Sequence, residues 1–455
     1  MFRNRTAPSR ERYLRKLTAS AYLTMLVGAS MPSCSWTRFD DATDNSPVLI
    51  FKASSGLNGL GTSVAAIRAG STTMALATGS DGYAIYDFGS KNSPTTDAIT
   101  VGHCLLSDGC HLAKTVAPVQ RDVNGVSMAC FAYSMTAQSD GTANVHLTCE
   151  KNLEFALALD GVTQTAVGKL STSTTVPLRF ASGPRIAPER LLVSARDKGT
   201  LWYYPNRTSA AVPITPTLNV AESFGATLAI LDSRFDSADS GTTLVVGEPK
   251  AGRVHFFATD DTGAVTSQGC IAGPAGFGQM LASGYYLATD LQSIAVASAS
   301  QVNVLPELSQ LGMLQPNTDG CIKLEQLTNT LSLACKEFGI PVDCTNALSL
   351  GALATADLNG DQVDELLVGI ATASAVGVHA AGQVLTVTAE PTKLAVRERL
   401  APSSPESGDR LGESVVGIPL SRAEVVLAGA PGGNKLAAFY CSALVPDGQG
   451  GKRCE

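Results

Sequence analysis

Charge is scarce in this 455-residue chain: Asp, Glu, Lys and Arg together make up 16% of it, and the formal net charge is -7. Past the first residues no Lys/Arg cluster occurs. A nucleic-acid partner is therefore not expected, because phosphate recognition needs a concentrated basic surface. Long apolar runs are missing too. Nothing after the amino-terminal segment approaches the ~20 residues that a membrane-spanning helix needs. No CxxC pair or His-bearing zinc spacing is present, and neither HExxH nor the G-x-S-x-G elbow occurs. The five histidines, His103, His111, His146, His255 and His379, read as strand or loop residues rather than general bases.

What the chain does contain is 44% hydrophobic residues, 43 glycines and 22 prolines. That composition supports a large core, and the scarcity of long helical periodicities points to many short strands joined by turns.

The amino terminus is a separate object. Arg3, Arg5, Arg10, Arg12, Arg15 and Lys16 precede the apolar run "ASAYLTMLVGASM" and then "PSCS". This order is that of an export signal over residues 1–33. Met31 to Cys34 resembles a bacterial lipobox, in which the Cys becomes lipidated; Met31 stands where Leu is usual and Pro32 is an uncommon occupant. An ordinary signal peptide with a chance Cys34 is the other reading. A linker over 34–48 follows in either case.

Eleven cysteines minus Cys34 leave ten, an even number suited to an oxidising compartment. Cys104 with Cys110, Cys130 with Cys149, Cys335 with Cys344 and Cys441 with Cys454 are near in sequence, which leaves Cys270 and Cys321. Spacing alone does not fix connectivity.

The stretch "ADLNGDQVDELLVG", residues 356 to 369, sets oxygen-bearing side chains on alternate positions ahead of an apolar strand. Asp357, Asn359 and Asp361 occupy the first, third and fifth places of a calcium loop. An EF-hand is excluded, since its sixth-position Gly and twelfth-position Glu are here Gln362 and Val368. With the Val363 carbonyl and Glu365, one loop offers about five oxygens, near the low end of what Ca2+ takes. One structural Ca2+ is the expectation; a polar turn bonding its own backbone is the alternative.

A repeat runs along the rest of the chain. "GLGTSVAAI", "FGATLAIL", "GFGQMLASG", "LGALATADL" and "RLGESVVGI" each open a strand, and each leads to a second and a third apolar strand. Gly225 to Gly278 is 53 residues, Gly278 to Gly351 is 73 and Gly351 to Gly412 is 61. The 164 residues from Gly61 to Gly225 leave room for two degenerate copies, around "GVSMACFAY" and "LRFASGP". Seven units of four-stranded antiparallel sheet predict an all-β, seven-bladed β-propeller over 49–455. The 305–344 segment is an insertion bounded by cysteines, with a short helix expected in "LEQLTNTLSLACKEF".

These motifs resemble the FG-GAP repeats of the integrin α-subunit β-propeller. Phe224-Gly225 and Phe277-Gly278 match the opening step, and Gly429-Ala430-Pro431 and the looser Gly247-Glu248-Pro249 match the closing one. Asp357, Asn359, Gly360 and Asp361 match the calcium element, which departs at Gln362, where Gly is usual, and at Glu365, where Asp is usual. The resemblance implies a propeller fold and, by analogy, a binding or adhesion protein; the export signal and the lipobox-like Met31–Cys34 point to a bacterial envelope, as an outer-membrane lipoprotein or in the periplasm, or to secretion. Its partner would be a protein or cell-surface ligand, and its membrane link a lipid anchor only. A non-enzyme is expected. The alternative is a propeller enzyme, a lyase or hydrolase, with a site at the channel mouth.

Overall fold

The computed structural model describes residues 48–53, 57–69, 72–88, 98, 100–103, 111–123, 126–136, 143–149, 153–157, 165–166, 178–182, 189–195, 199–207, 209, 211–214, 223–231, 242–260, 263–289, 292–305, 320–340, 350–375, 377–402, 404–420, 424–440, 444–446 and 452–454. The export signal, Cys34, Cys104, Cys110, Cys344 and Cys441 lie outside them, and Cys454 is described in its main chain only.

Among the described residues, seven sheets of four or five strands, antiparallel except for one pairing in the fourth, follow one another along the chain. Their innermost strands are Ser63–Ala69, His111–Val123, Leu178–Ser182, Thr227–Leu231, Met280–Gly284, Ala352–Ala356 and Ser414–Pro419. Each packs against the inner strand of the next sheet and the last returns to the first, so the sheets are blades of a closed ring. The seventh blade is completed from the other end of the chain. Val48–Lys52 pairs antiparallel with Lys435–Phe439, and Phe51 is wholly buried in the seam between blades 7 and 1.

The core is divided in seven. One apolar cluster fills each seam between neighbouring blades, as with Leu192 and Leu201 of blade 3 against Leu228 and Leu244 of blade 4. Both faces of a blade are therefore buried, which is why Thr242–Glu248 and Glu424–Ala430 are buried at every position instead of alternating.

The repeated opening step has a physical cause in these seams. Leu60, Phe224, Phe277, Leu350 and Leu411 each precede the opening Gly, and each is buried in the seam toward the previous blade. The Gly then lies against neighbouring main chain. A Cβ added to Gly61 would stand 2.7 Å from the Cα of Gly429, and one added to Gly278 would stand 3.3 Å from the Cα of Gly247. The "FG" of one unit thus touches the "GAP"-type glycine of the unit before it. Hydroxyls reinforce the join: Ser194 Oγ donates to the Gly225 carbonyl (2.5 Å), Thr227 Oγ1 to that of Gly278 (2.6 Å) and Ser414 Oγ to that of Gly61 (2.7 Å).

The 305–344 segment corrects the helix expectation. Its "LEQ" and "CKE" form only single 3-10 turns, while Leu331–Ala334 is a strand that pairs with Gln301–Leu305 and completes blade 5. Leu331 and Leu333 are buried with Ser332 exposed between them, a period of two that suits an edge strand and not a helix. Ile322–Lys323 adds a parallel fifth strand to blade 4, where the Cys270–Cys321 disulfide holds it. Cys130 and Cys149 are also bonded, across directly paired residues of blade 2, and Cys335 is disulfide-bonded.

Candidate functional site

The inner strand of every blade is an edge strand, and these edges surround a central cavity of about 780 Å³. The carboxyl ends of the inner strands gather at one mouth, where Arg68, Ser182, Tyr285, Asp357 and Leu420 come together from blades 1, 3, 5, 6 and 7. The loop singled out in the sequence stands on this rim.

Residues 357–364 join the first two strands of blade 6, Ala352–Ala356 and Glu365–Ile370. Asp357 organises the turn: Oδ1 accepts the N–H of Gly360 (2.7 Å) and of Asp361 (3.1 Å), and Oδ2 accepts that of Gln362 (3.1 Å). Asn359 Oδ1 accepts from Asp361 N (2.9 Å), and Asp361 Oδ1 from Val363 N (2.8 Å). Gln362 has φ +71°, a left-handed conformation that Gly adopts at less cost. Glu365 lies beneath the turn, largely buried, with Oε2 accepting from Leu358 N (2.9 Å). Burial, joined by the nearby Asp361 and Asp357 charges, pushes its carboxyl up to about 8.

The loop also fastens three blades together. Glu424 of blade 7 accepts the Asp357 N–H at Oε2 (3.2 Å), and its own N–H reaches the Asp357 carbonyl (3.0 Å). At the other end Asp364, also buried, accepts the Tyr285 N–H of blade 5 (2.8 Å) and donates its N–H to the Tyr285 carbonyl (2.9 Å).

The donor chemistry of Asp357, Asn359, Asp361, the Val363 carbonyl and Glu365 is that of an oxygen site for a hard cation. Among the described residues, no three His, Cys, Asp or Glu side chains converge as a metal-holding group by themselves. At this loop Asn359 Nδ2 donates to both Asp361 Oδ2 (3.0 Å) and Glu365 Oε1 (3.2 Å).

Among the described residues no histidine lines the cavity. His255 is buried in blade 4 against Glu248 (2.8 Å) and edge-on to Phe224, His146 stacks on Tyr133, and His379 is exposed on a loop. The side chains of His103 and His111 lie outside the described set. What the sequence did not reveal is the partnership of Tyr285, Asp364 and Glu424 with the loop. Their positions carry no repeat signal, and only the packing of successive blades side by side brings blades 5 and 7 against the blade 6 loop.

Comparison with models of known protein families and with characterised proteins finds no match. Among solved structures the chain is similar to a point mutant of Aleuria aurantia lectin in complex with alpha-methyl-L-fucoside, at 10% identity and a TM-score of 0.41, covering 75% of this chain and 96% of that one. No helix among the described residues is long and apolar enough to cross a membrane.

Proposed function

We propose that the chain is an exported, envelope-associated binding protein of FG-GAP type, a rigid propeller whose loops present an interaction face to a protein or cell-surface ligand. The observation that carries this reading is the blade 6 loop. Its donors are those of a calcium site, and it bonds blade 5 through Asp364 and blade 7 through Glu424, so an ion there would act on the architecture rather than on a substrate. Asp357, Asn359, Asp361, the Val363 carbonyl and Glu365 would hold one Ca2+. Its charge would offset the unfavourable burial of Glu365 beside Asp357 and Asp361. The disulfides of blades 2 and 4 are compatible with passage through an oxidising compartment, as export requires. Lipidation at Cys34 would supply the membrane attachment.

A non-catalytic role fits the chemistry of the mouth. Asp364 and Glu424, the acids beside the loop, are tied to backbone N–H groups, and among the described residues no imidazole stands within the cavity to shuttle a proton. The test is Asp361→Ala melted in excess Ca2+. The expected outcome is a folded protein with a lower melting temperature than wild type, by a few degrees. Identical melting temperatures would remove the calcium assignment.

A further inference from the structure

The central cavity has a chemistry of its own, independent of any ion in the loop. Its volume of about 780 Å³ lies within the ~300–1,000 Å³ of small-molecule sites. Its deeper wall is made of small and apolar residues such as Ala66, Ala282 and Ala354, and its mouth is polar.

The charged groups at that mouth are already engaged. Asp357 spends both carboxylate oxygens on its own turn, Asp364 accepts from Tyr285 N, and Glu424 accepts from Asp357 N. An organic cation would have to share these oxygens with the N–H groups already on them. An organic anion would meet three acids against, among the described residues, one arginine, Arg68.

The side chains there that make no hydrogen bond are neutral. Ser182 of blade 3, Ser283 and Thr289 of blade 5, and Thr355 and Gln362 of blade 6 line the cavity, and none of these side chains makes a hydrogen bond within the described chain. Four are hydroxyls, which both donate and accept, and the fifth is an amide with both capacities. They converge from three blades on one space. Inner-strand edges add main-chain N–H and C=O groups around the same space. A purely apolar ligand would leave these groups without partners, at a cost in free energy.

We propose that this end of the channel binds a small, uncharged, polyhydroxylated molecule, with Ser283, Thr355 and Gln362 as its principal hydrogen-bonding residues. Hydroxyl groups suit the site because each can donate to a carboxylate or carbonyl oxygen and accept from Arg68, Gln362 or a strand N–H. The body of such a molecule, with its C–H faces, suits the alanine-rich wall behind.

The experiment is ligand-observed saturation-transfer NMR on the disulfide-intact protein. Its probes are a panel of neutral mono- and disaccharides and linear polyols, with a diamine, a dicarboxylate and a neutral diamide as counterparts. Each probe that gives a signal is then titrated. The proposal expects saturable binding of at least one hydroxylated probe. It further expects that Thr355→Val combined with Ser283→Ala weakens binding by about tenfold, the loss of two neutral hydrogen bonds, while circular dichroism and melting temperature stay near wild type. Single Gln362→Ala provides a second, exposed variant that leaves the wall untouched. Binding only of the diamine, the dicarboxylate or the diamide would overturn the proposal, as would silence across the hydroxylated panel or affinity that ignores these substitutions. Repeating the titration with chelator separates this outcome from the calcium reading, since either can fail alone.

Discussion

Gly278 opens blade 5 with φ +88°, and an added Cβ would meet the Arg253 carbonyl at 2.7 Å and the Val254 side chain at 3.1 Å. Main chain cannot yield as a side-chain tip can. Gly278→Ala is therefore expected to cost about 2 kcal/mol or more, read from the midpoint of urea unfolding, since strain and a displaced seam act together. Gln362 presents the reverse case. It holds a left-handed conformation on the exposed turn without the glycine that such a conformation favours. Gln362→Gly is expected to stabilise the protein by about 0.5–1 kcal/mol, because relief of backbone strain exceeds the added freedom of the unfolded chain. A lower unfolding midpoint for this variant would contradict the strain argument.

At the scale of elements, the sequence made the opening steps legible because they combine two demands, an apolar plug at Leu60, Phe224, Phe277, Leu350 or Leu411 and a glycine behind it. Strands without such a demand were harder to read. His111–Val123, the inner strand of blade 2, carries Lys114, Thr115, Gln120, Arg121 and Asp122, so its pattern does not read as a core strand. Arg121 is nevertheless buried, donating to the carbonyls of Asn206 (2.6 Å) and Ser209 (3.2 Å) and lying over the Tyr204 ring. The joining of Leu331–Ala334 to blade 5 was hidden for another reason: pairing is decided by which sheet edge stands open, and that is a property of the ring. The clustering of acids in the 357–365 loop was legible from spacing alone, whereas Asp364 and Glu424 acquire their contacts only through neighbouring blades.

The loop and the strand it feeds also set a pH dependence. Glu365 is raised from 4.5 to about 8 in the folded protein, so between those values the folded state holds a proton that the unfolded chain has released. Stability contributed by this group is then full below the unfolded value and declines as pH rises toward 8. With chelator present, the melting temperature is expected to be higher near pH 5.5 than near pH 8 on account of this group, and Glu365→Gln to flatten the slope. Excess Ca2+ should flatten it also, by favouring the carboxylate.

For the whole molecule, closure is the unifying feature. Val48–Lys52 seals blade 7, seven apolar seams hold the ring, and the carboxyl ends of the inner strands meet at one mouth. There the loop of blade 6 bonds both its neighbours, so an ion in it would reinforce the ring at the point where the channel opens. Calorimetric titration of the protein without residues 1–33 with Ca2+, paired with melting curves with and without chelator, tests whether one does. Saturable uptake of about one ion and a melting temperature that rises with free Ca2+ are expected. Absence of binding heat together with superimposable melting curves would contradict the calcium reading, and would leave residues 357–365 as a hydrogen-bonded turn between two strands.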